Sequence, residues 1–391
     1  MPGMKKWQHN LVRNSMDKYR QALENYYIKD KQLVEVGGGY KAFSLLSPPI
    51  GSPAAKRRIR FIIKNISDKN TVVEGEGIVS PGKRTPHFIT IAVTYDCQCD
   101  CSHCSAHSYK EKVGQDNDQL TIPELKGVVN QAIDIGSTCV IFTGGEPLLV
   151  DGIFDLIRSV DKRKAVCTIF TNGEFLDKKT VAKLKKAKLF GIFVSLDFAD
   201  ADKHDANRQR DGLFKKAVAG INLCRENGIL TGISTFATKE KIVSGQLDDI
   251  MELGKKLNVL EVFIFDVIAT GKLNSEQACM LDEEDVGAIK KFRQKYNSRP
   301  DYPRIIHQTM FTSIAYPCVS EGCPAGVAQM HVRGNGNVCP CDFTPLSFGN
   351  VRQKKLSDIW KAITEDELYS KASKVCRLSD KDFLRRISPQ V

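Results

Sequence analysis

Thirteen cysteines are spread unevenly over 391 residues: four fall within Cys97–Cys104 and four more within Cys318–Cys341. Cys97, Cys101 and Cys104 have the spacing C-x3-C-x2-C. A tight loop with this spacing can aim three thiolates at three irons of a [4Fe–4S] cube, which leaves the fourth iron without a protein ligand. An open position on a metal is a place to bind and activate a substrate. Three other readings compete. Cys101 and Cys104 form a C-x2-C pair suited to zinc, although a structural zinc site takes four ligands. Cys99 would complete a fully ligated electron-transfer cluster; if it does not, it is an extra thiol. Chance clustering of free thiols is the last.

Composition narrows the field. At 42% hydrophobic and 26% charged residues the chain is ordinary for a soluble globular protein of two or three domains. No apolar run approaches the ~18–20 residues that a membrane span needs. The start, Met1-Pro2-Gly3-Met4-Lys5-Lys6-Trp7, lacks the apolar stretch of a signal peptide. A cytoplasmic location is therefore expected, where thiols stay reduced and metal or cluster ligation explains them better than disulfides. The formal charge of +11 suits an acidic partner, such as an anionic peptide or a reduced electron-transfer protein, and does not call for nucleic acid.

The elements that must hold these cysteines follow from periodicity. Apolar residues recur at three- and four-residue steps from Trp7 to Tyr27, predicting an amphipathic helix that packs on the main domain. Pro48–Pro53 reads as a linker. Two short strands are expected near Ile59–Ile66 and Thr71–Ile78, with Lys56–Arg60 as the solvated start of the first. From Phe88 the rhythm changes, and six strand-like runs alternate with helical ones. The strands fall at Phe88–Thr94, Val140–Phe142, Cys167–Phe170, Gly191–Leu196, Leu230–Phe236 and Glu261–Phe265. Such alternation predicts right-handed βαβ units and a parallel sheet with ligands at the C-terminal strand ends. Beyond about Asp301 the alternation stops. Gly334–Asn337 then predicts a hairpin turn, and a helix follows near Leu356–Ile363. Cys139, Cys167, Cys224 and Cys279 sit in apolar patterns and read as core residues.

Taken with the motifs at these strand ends, the chain resembles the radical S-adenosylmethionine (SAM) superfamily. The second strand ends in Gly144-Gly145-Glu146-Pro147, the third in Thr171-Asn172-Gly173 and the fourth in Val194-Ser195-Leu196-Asp197; His204-Asp205 and Arg208 follow. The resemblance implies that Gly144, Gly145, Glu146 and Pro147 contact the SAM amino group and that Ser195 and Asp197 lie near its ribose. Arg208 is implied as a partner of the SAM carboxylate. Two positions depart from the pattern: His103 stands before the third cysteine where an aromatic is frequent, and Asp197-Phe198 stands where relatives often have Asp-Gly.

The C-terminal region resembles the twitch form of the SPASM extension, through Cys323-Pro324-Ala325-Gly326, Gly336, Cys341, Phe348-Gly349-Asn350 and Leu356-x-x-Ile359-Trp360. This implies that Cys318, Cys323, Cys341 and Cys376 hold one auxiliary [4Fe–4S] cluster, with Cys339 as a substitute member and a zinc knuckle as the alternative.

The implied fold is α/β: a partial (β/α)6 barrel over 86–300, an N-terminal α+β extension over 1–85, and a twitch-like module over 301–391. The implied chemistry is reductive cleavage of SAM to a 5′-deoxyadenosyl radical that abstracts hydrogen from a substrate. Reduced flavodoxin or ferredoxin is the implied donor, and oxygen sensitivity is expected. No residue in the sequence declares itself a general base. A peptide or protein substrate is favoured, because the N-terminal segment and the positive charge offer a docking surface. A small molecule, tetrapyrrole or sugar, is the alternative, and a non-catalytic iron–sulfur or zinc protein is the reading from another class.

Overall fold

The computed structural model describes residues 33–74, 77–107, 118–274, 279–310 and 321–387. The helix expected over Trp7–Tyr27 and Cys318 lie outside them. The N-terminal part holds strands β1 (Val34–Val36) and β2 (Tyr40–Ala42), helix α1 (Pro53–Ile66), and strands β3 (Val72–Glu74) and β4 (Gly77–Ser80). Then come β5 (Phe88–Thr94), α2 (Ile122–Asp134), β6 (Cys139–Gly144), α3 (Ile153–Ser159), β7 (Val166–Thr171), α4 (Lys178–Lys186) and β8 (Gly191–Ser195). The core continues with α5 (Ala201–Arg208), α6 (Leu213–Glu226), β9 (Leu230–Ala237), α7 (Lys239–Val243), α8 (Gln246–Lys256) and β10 (Glu261–Asp266). Last are α9 (Glu283–Asn297), β11 (Arg304–His307), β12 (Gln329–Val332), β13 (Val338–Cys339), α10 (Leu356–Glu365) and α11 (Lys381–Ile387).

The helices form for legible local reasons. In α2, Thr121 and Glu124 make a reciprocal capping box and Pro123 occupies the first turn. Leu125, Val128, Val129, Ala132 and Ile133 are then buried at helical spacing against the sheet. Nine strands share one sheet in the order β11-β10-β9-β8-β7-β6-β5-β12-β13. All neighbours from β11 to β12 run parallel, and only β13 is antiparallel, to β12. Ile306 near one edge and Ala328 beside the other join Phe88, Ile141, Phe193 and Phe263 in a single inner cluster. The sheet is therefore curled into the expected partial barrel.

Three expectations are corrected. Ile59–Ile66 belongs to α1, capped by Ser52 with Pro53 in its first turn. Ile59, Ile62, Ile63 and Ile66 have helical rather than alternating spacing, and Lys56–Arg60 lies within that helix. The span Thr71–Ile78 divides between β3 and β4, paired antiparallel. The alternation also continues past the expected boundary at 300/301. Helix α9 leads into β11, which pairs with β10, and β12 pairs with β5 on the other edge. The C-terminal cysteine region is thus built onto both edges of the core sheet and is not a separate module.

The N-terminal part closes one end of the barrel. Phe43, Leu45 and Leu46 are buried in the inner cluster, a contribution of roughly 1.5–3 kcal/mol each. The Leu45 N–H donates to Glu261 Oε1 at 2.7 Å, and the Leu45 carbonyl accepts from Thr168 Oγ1 at 2.7 Å. A Cβ on Gly191 would stand 2.8 Å from Leu45 Cγ, so this position needs glycine for close packing. Glu261 and Gly191 begin their strands, which places the plug at the N-terminal mouth. The C-terminal mouth is left for the site.

Candidate active site

Strand β5 runs straight into the first cysteine loop, which is held from three sides. On one side Asp100 N–H donates to the Arg208 carbonyl and Ser102 N–H to the Asn207 carbonyl, both at 3.1 Å. Helix α5 thus ends as a backbone clamp on the loop. On a second side Lys272 N–H donates to the Cys104 carbonyl at 3.0 Å, and its ammonium meets Asp100 Oδ1 at 2.6 Å. On the third, Gly145 N–H donates to the Thr94 carbonyl at 2.8 Å and Glu146 N–H to the Asp96 carbonyl at 2.7 Å. A Cβ on Gly144 would lie 2.0 Å from Thr94 O, and one on Gly145 would lie 2.1 Å from Asp96 O. The glycine pair is required by the approach of these two chain segments to each other.

The loop faces a cavity of about 300 Å³ lined by Cys97, Cys99, Cys101, Cys104, Gly144, Gly145, Asn172, Ser195, Asp197 and Arg208. Cys323, Cys341 and Cys376 line the same cavity. The structure therefore brings together both cysteine sets and most of the residues singled out in the sequence. Glu146 and Pro147 do not reach the cavity wall. Glu146 is fully buried; its Oε1 accepts from Thr171 Oγ1 at 2.7 Å and Leu148 N at 3.0 Å, and its Oε2 from Asn172 N at 2.8 Å. Burial pushes its carboxyl up to about 7 against those three donors. Its observed contacts join the β6 turn to the β7 turn, whereas the resemblance implied contact with SAM.

Arg208 is likewise engaged. Its Nε and Nη2 donate to Asp197 Oδ2 and Oδ1 at 2.7 and 2.9 Å, with both residues buried. Burial works against the Asp197 charge, but Arg208 and then His103 outweigh it and hold the carboxyl well below the usual range. Ser195 Oγ lies 3.2 Å from Ser234 Oγ at the cavity wall.

The donor sets fit iron–sulfur clusters. The Cys99 thiol hydrogen-bonds Cys101 and Cys97, which pushes its own pKa far up; Cys101 is lowered, first by Cys99 and then by Arg208. Asn172 Nδ2 lies 3.9 Å from Cys97 Sγ. In the second set, burial raises Cys341 well above the ordinary thiol value, and the nearby Cys323 and Cys376 add to it. Burial and then Cys323 push Cys376 up to about 12. Cys323 is buried and Cys341 and Cys376 are half-buried, and three sulfurs grouped at one wall of the cavity suit a polycation that favours thiolates. Cys339 is fully buried on β13 and lines no part of the cavity. Cys139, Cys167 and Cys224 are core residues as expected, while Cys279 is only half-buried and lines a neighbouring pocket.

The sequence reading missed two carboxylate–imidazole pairs on the cavity wall. Asp266, at the end of β10, meets His307 Nε2 at 2.5 Å and accepts from Gln308 Nε2 at 2.9 Å. Asp342, next to Cys341, lies 3.1 Å from His331 Nδ1 and accepts from Gln329 Nε2 at 2.7 Å and Thr90 Oγ1 at 3.1 Å. Burial pushes Asp342 up, and His331 more than compensates, so its carboxyl stays below the usual range. The signals were present but faint: one carboxylate ends a strand and the other follows a ligand cysteine.

A curled parallel sheet with a three-cysteine loop after its first core strand and a glycine turn after its second defines a class of SAM-cleaving iron–sulfur proteins. Comparison with known proteins gives the family. Residues 91–241 match the radical SAM superfamily and residues 323–378 match the SPASM iron–sulfur cluster-binding domain. The chain therefore carries a radical SAM domain followed by a C-terminal SPASM domain. It is an enzyme whose cofactors are a SAM-binding [4Fe–4S] cluster, SAM and auxiliary iron–sulfur chemistry.

Relatives include an AdoMet-dependent heme synthase of Methanosarcina barkeri, 27% identical over 71% of this chain and 82% of that protein. An Fe-coproporphyrin III synthase of the same organism is 23% identical over 70% and 73%. Among solved structures, Streptococcus suis SuiB bound to precursor peptide SuiA superposes with a TM-score of 0.60 at 19% identity, over 81% of this chain and 70% of that one. Native anSMEcpe with bound AdoMet gives 0.55 at 17% identity, over 78% and 97%. These two likenesses concern the fold. No helix among the described residues is long and apolar enough to cross a membrane.

Proposed function

We propose that this enzyme generates a substrate radical in the cavity enclosed by its two cysteine sets, and that the substrate is a small molecule of the tetrapyrrole class. The shared cavity carries the reading: Cys97, Cys101 and Cys104 line it together with Cys323, Cys341 and Cys376. The first three are the proposed ligands of the SAM-binding cluster. Cys318, Cys323, Cys341 and Cys376 are the proposed ligands of one auxiliary [4Fe–4S] cluster. When bound, the first cluster and SAM supply a 5′-deoxyadenosyl radical that takes a hydrogen atom from the substrate.

The chain's own residues position and protect. Gly144, Gly145, Ser195, Asp197 and Arg208 form the polar wall beside the first cysteine loop, where SAM is proposed to lie. Phe170, Phe263, Phe265 and Phe343 give the cavity an apolar aromatic wall that excludes water and offers ring faces to a planar substrate. Asp342, backed by His331, is the proposed acceptor of a proton from an oxidised substrate. In the proposed division the N-terminal extension, 1–85, closes the lower mouth through Phe43, Leu45 and Leu46, 86–300 form the radical core and 301–391 carry the auxiliary ligands. The proposed donor is reduced flavodoxin or ferredoxin.

The sequence alone favoured a peptide. The relatives that span most of this chain and most of their own length are named for heme and Fe-coproporphyrin III, and this moves the reading to a small molecule. The test is anaerobic incubation of reconstituted, dithionite-reduced enzyme with SAM and iron coproporphyrin III, following 5′-deoxyadenosine and the porphyrin mass. Iron porphyrin should stimulate deoxyadenosine formation and change in mass. Stimulation by a peptide and by no tetrapyrrole would overturn the substrate class. Undiminished deoxyadenosine from Cys97→Ala would overturn the ligand assignment.

A further inference from the structure

Lys241, on α7, is the one lysine buried among the described residues. Thr238 caps that short helix, its hydroxyl accepting from the Lys241 N–H at 3.1 Å. The side chain runs back to the ends of β8 and β9, where its ammonium donates to the Asp197 carbonyl and, at 3.2 Å, to the Phe236 carbonyl. The paired register of these strands ends at Ser195 opposite Ser234, with one further bond from Leu196 N–H to the Ser234 carbonyl at 3.0 Å. Beyond that point the lysine ties the two chains together. Thr235 Oγ1 helps, donating to the same Asp197 carbonyl at 3.3 Å.

The ammonium also lies between two rings, 4.2 Å from the centre of Phe198 and 3.8 Å from that of Phe236. A desolvated cation against two ring faces is held firmly. Burial lowers its pKa to about 8, against the pull of Asp197, so it stays mostly charged at neutral pH. Phe236 in turn packs on His103, the residue before Cys104, with ring centres 4.1 Å apart. His103, Asp197 and Phe236 line the central cavity, whereas Lys241 and Phe198 line the neighbouring pocket that shares His103 and Phe236 with it. The two positions that depart from the family pattern, His103 and Phe198, thus meet in one cation–aromatic stack. Lys241 is its cation.

We propose that Lys241 is a positioning residue for SAM: by fixing the Asp197 main chain and the Phe236 ring, it sets the wall on which the SAM sugar rests. The proposal rests on the proposed place of SAM beside Ser195 and Asp197. Lys241 acts from behind that wall and through Asp197. The Asp197 carboxylate already holds Arg208 and Asn207, so a shift of its main chain moves all three groups together. Such a wall is complete before any chemistry begins. Its loss weakens the hold on SAM and leaves the step that follows binding nearly untouched.

The experiment compares wild-type holoenzyme with Lys241→Met and Lys241→Arg. Lys203→Met is the control, an exposed lysine on the same neighbouring pocket. SAM binding is measured anaerobically by calorimetry, and KM and kcat for deoxyadenosine formation under dithionite are determined separately. Lys241→Met should raise both the Kd and the KM for SAM about tenfold or more, with kcat at saturating SAM within about twofold of wild type. Lys241→Arg keeps a cation and its donors, and should return the Kd to within about threefold of wild type. Lys203→Met should match wild type throughout. Should Lys241→Met fail to retain iron, Phe198→Leu decides in its place, since it removes one ring and keeps the ammonium; its Kd for SAM should rise about threefold. Unchanged SAM affinity in the deciding variant, or a fall in kcat with KM unchanged, would overturn the positioning role alone. Unchanged SAM affinity in Asp197→Asn would overturn the place proposed for SAM and the role of Lys241 with it.

Discussion

Asp197 and Arg208 pair side-on beneath the first cysteine loop, through hydrogen bonds of 2.7 and 2.9 Å between fully engaged carboxylate and guanidinium edges. The pair is buried, and the backbone carbonyl of Arg208 also holds the Asp100 N–H of the loop. One residue therefore links the end of β8 to the cysteines. Its loss reaches both.

Arg208→Met leaves Asp197 as an uncompensated buried charge, which costs about 3–5 kcal/mol. The expected outcome is a loss of that order in urea unfolding of the anaerobic protein, together with reduced iron retained after gel filtration. The Asp197→Asn/Arg208→Met pair should recover much of the stability, because no isolated charge remains. A single variant as stable as wild type would show that the pair does not brace the loop.

Asp342 sits where a proton could leave a substrate, hydrogen-bonded to Gln329 and Thr90 and 3.1 Å from His331. Asp342→Asn keeps the shape and removes the basic oxygen. Deoxyadenosine formed without substrate under dithionite should stay within about twofold of wild type, whereas product formation should fall by roughly 10²–10⁴. The ratio of deoxyadenosine to product is the measurement. A parallel fall in both would assign Asp342 a purely structural role.

The core of this fold was readable because each core strand is a short apolar run and each intervening helix from α2 to α8, α5 and α7 apart, repeats at helical spacing. The motifs fell at the C-terminal ends of those strands, where a parallel sheet leaves its ligand side. Helix α5 escaped notice because it is polar nearly all round, with His204 and Arg208 its only buried residues. Strand β11 has four residues and follows a helix of charged composition, so it carries little pattern of its own. The two carboxylate–imidazole pairs were hidden for another reason. Asp266 and His307 are 41 residues apart and meet only because Ile264 and His307 share a register across β10 and β11. The sequence singled out Glu146 and Arg208 through their motifs, but their engagement by other protein groups depends on turns whose approach no spacing encodes.

Glu261 gives the plug a pH signature. Burial pushes its carboxyl up to about 7, against the pull of Arg304 and the bonds from Leu45 N–H and Ser44 Oγ. A folded-state value above the unfolded one means the neutral form is favoured by folding. Its contribution is complete below the unfolded value near ~4.3 and is lost as pH rises through about 7. Gln at this position can still accept both hydrogen bonds and cannot ionise. Urea midpoints should therefore place Glu261→Gln close to wild type at low pH and more stable by about 3–4 kcal/mol at high pH. A difference that does not change across that window would remove Glu261 as the titrating group.

Cys99 decides whether the first cluster is open. Its thiol is buried, and the neighbouring Cys101 and Cys97 sulfurs oppose its ionisation. Cys97, Cys101 and Cys104 are half-buried whereas Cys99 is buried, and the first three carry the C-x3-C-x2-C spacing proposed to hold the irons. Cys99→Ala should therefore retain the iron and sulfide of wild type, and addition of SAM should still perturb the EPR signal of the reduced first cluster. Cys97→Ala, prepared alongside, should lose that signal while keeping the auxiliary one. If Cys99→Ala instead lost the first cluster, the cube would be held by four sulfurs, and the vacant iron on which SAM cleavage depends would have to be made by displacing Cys99.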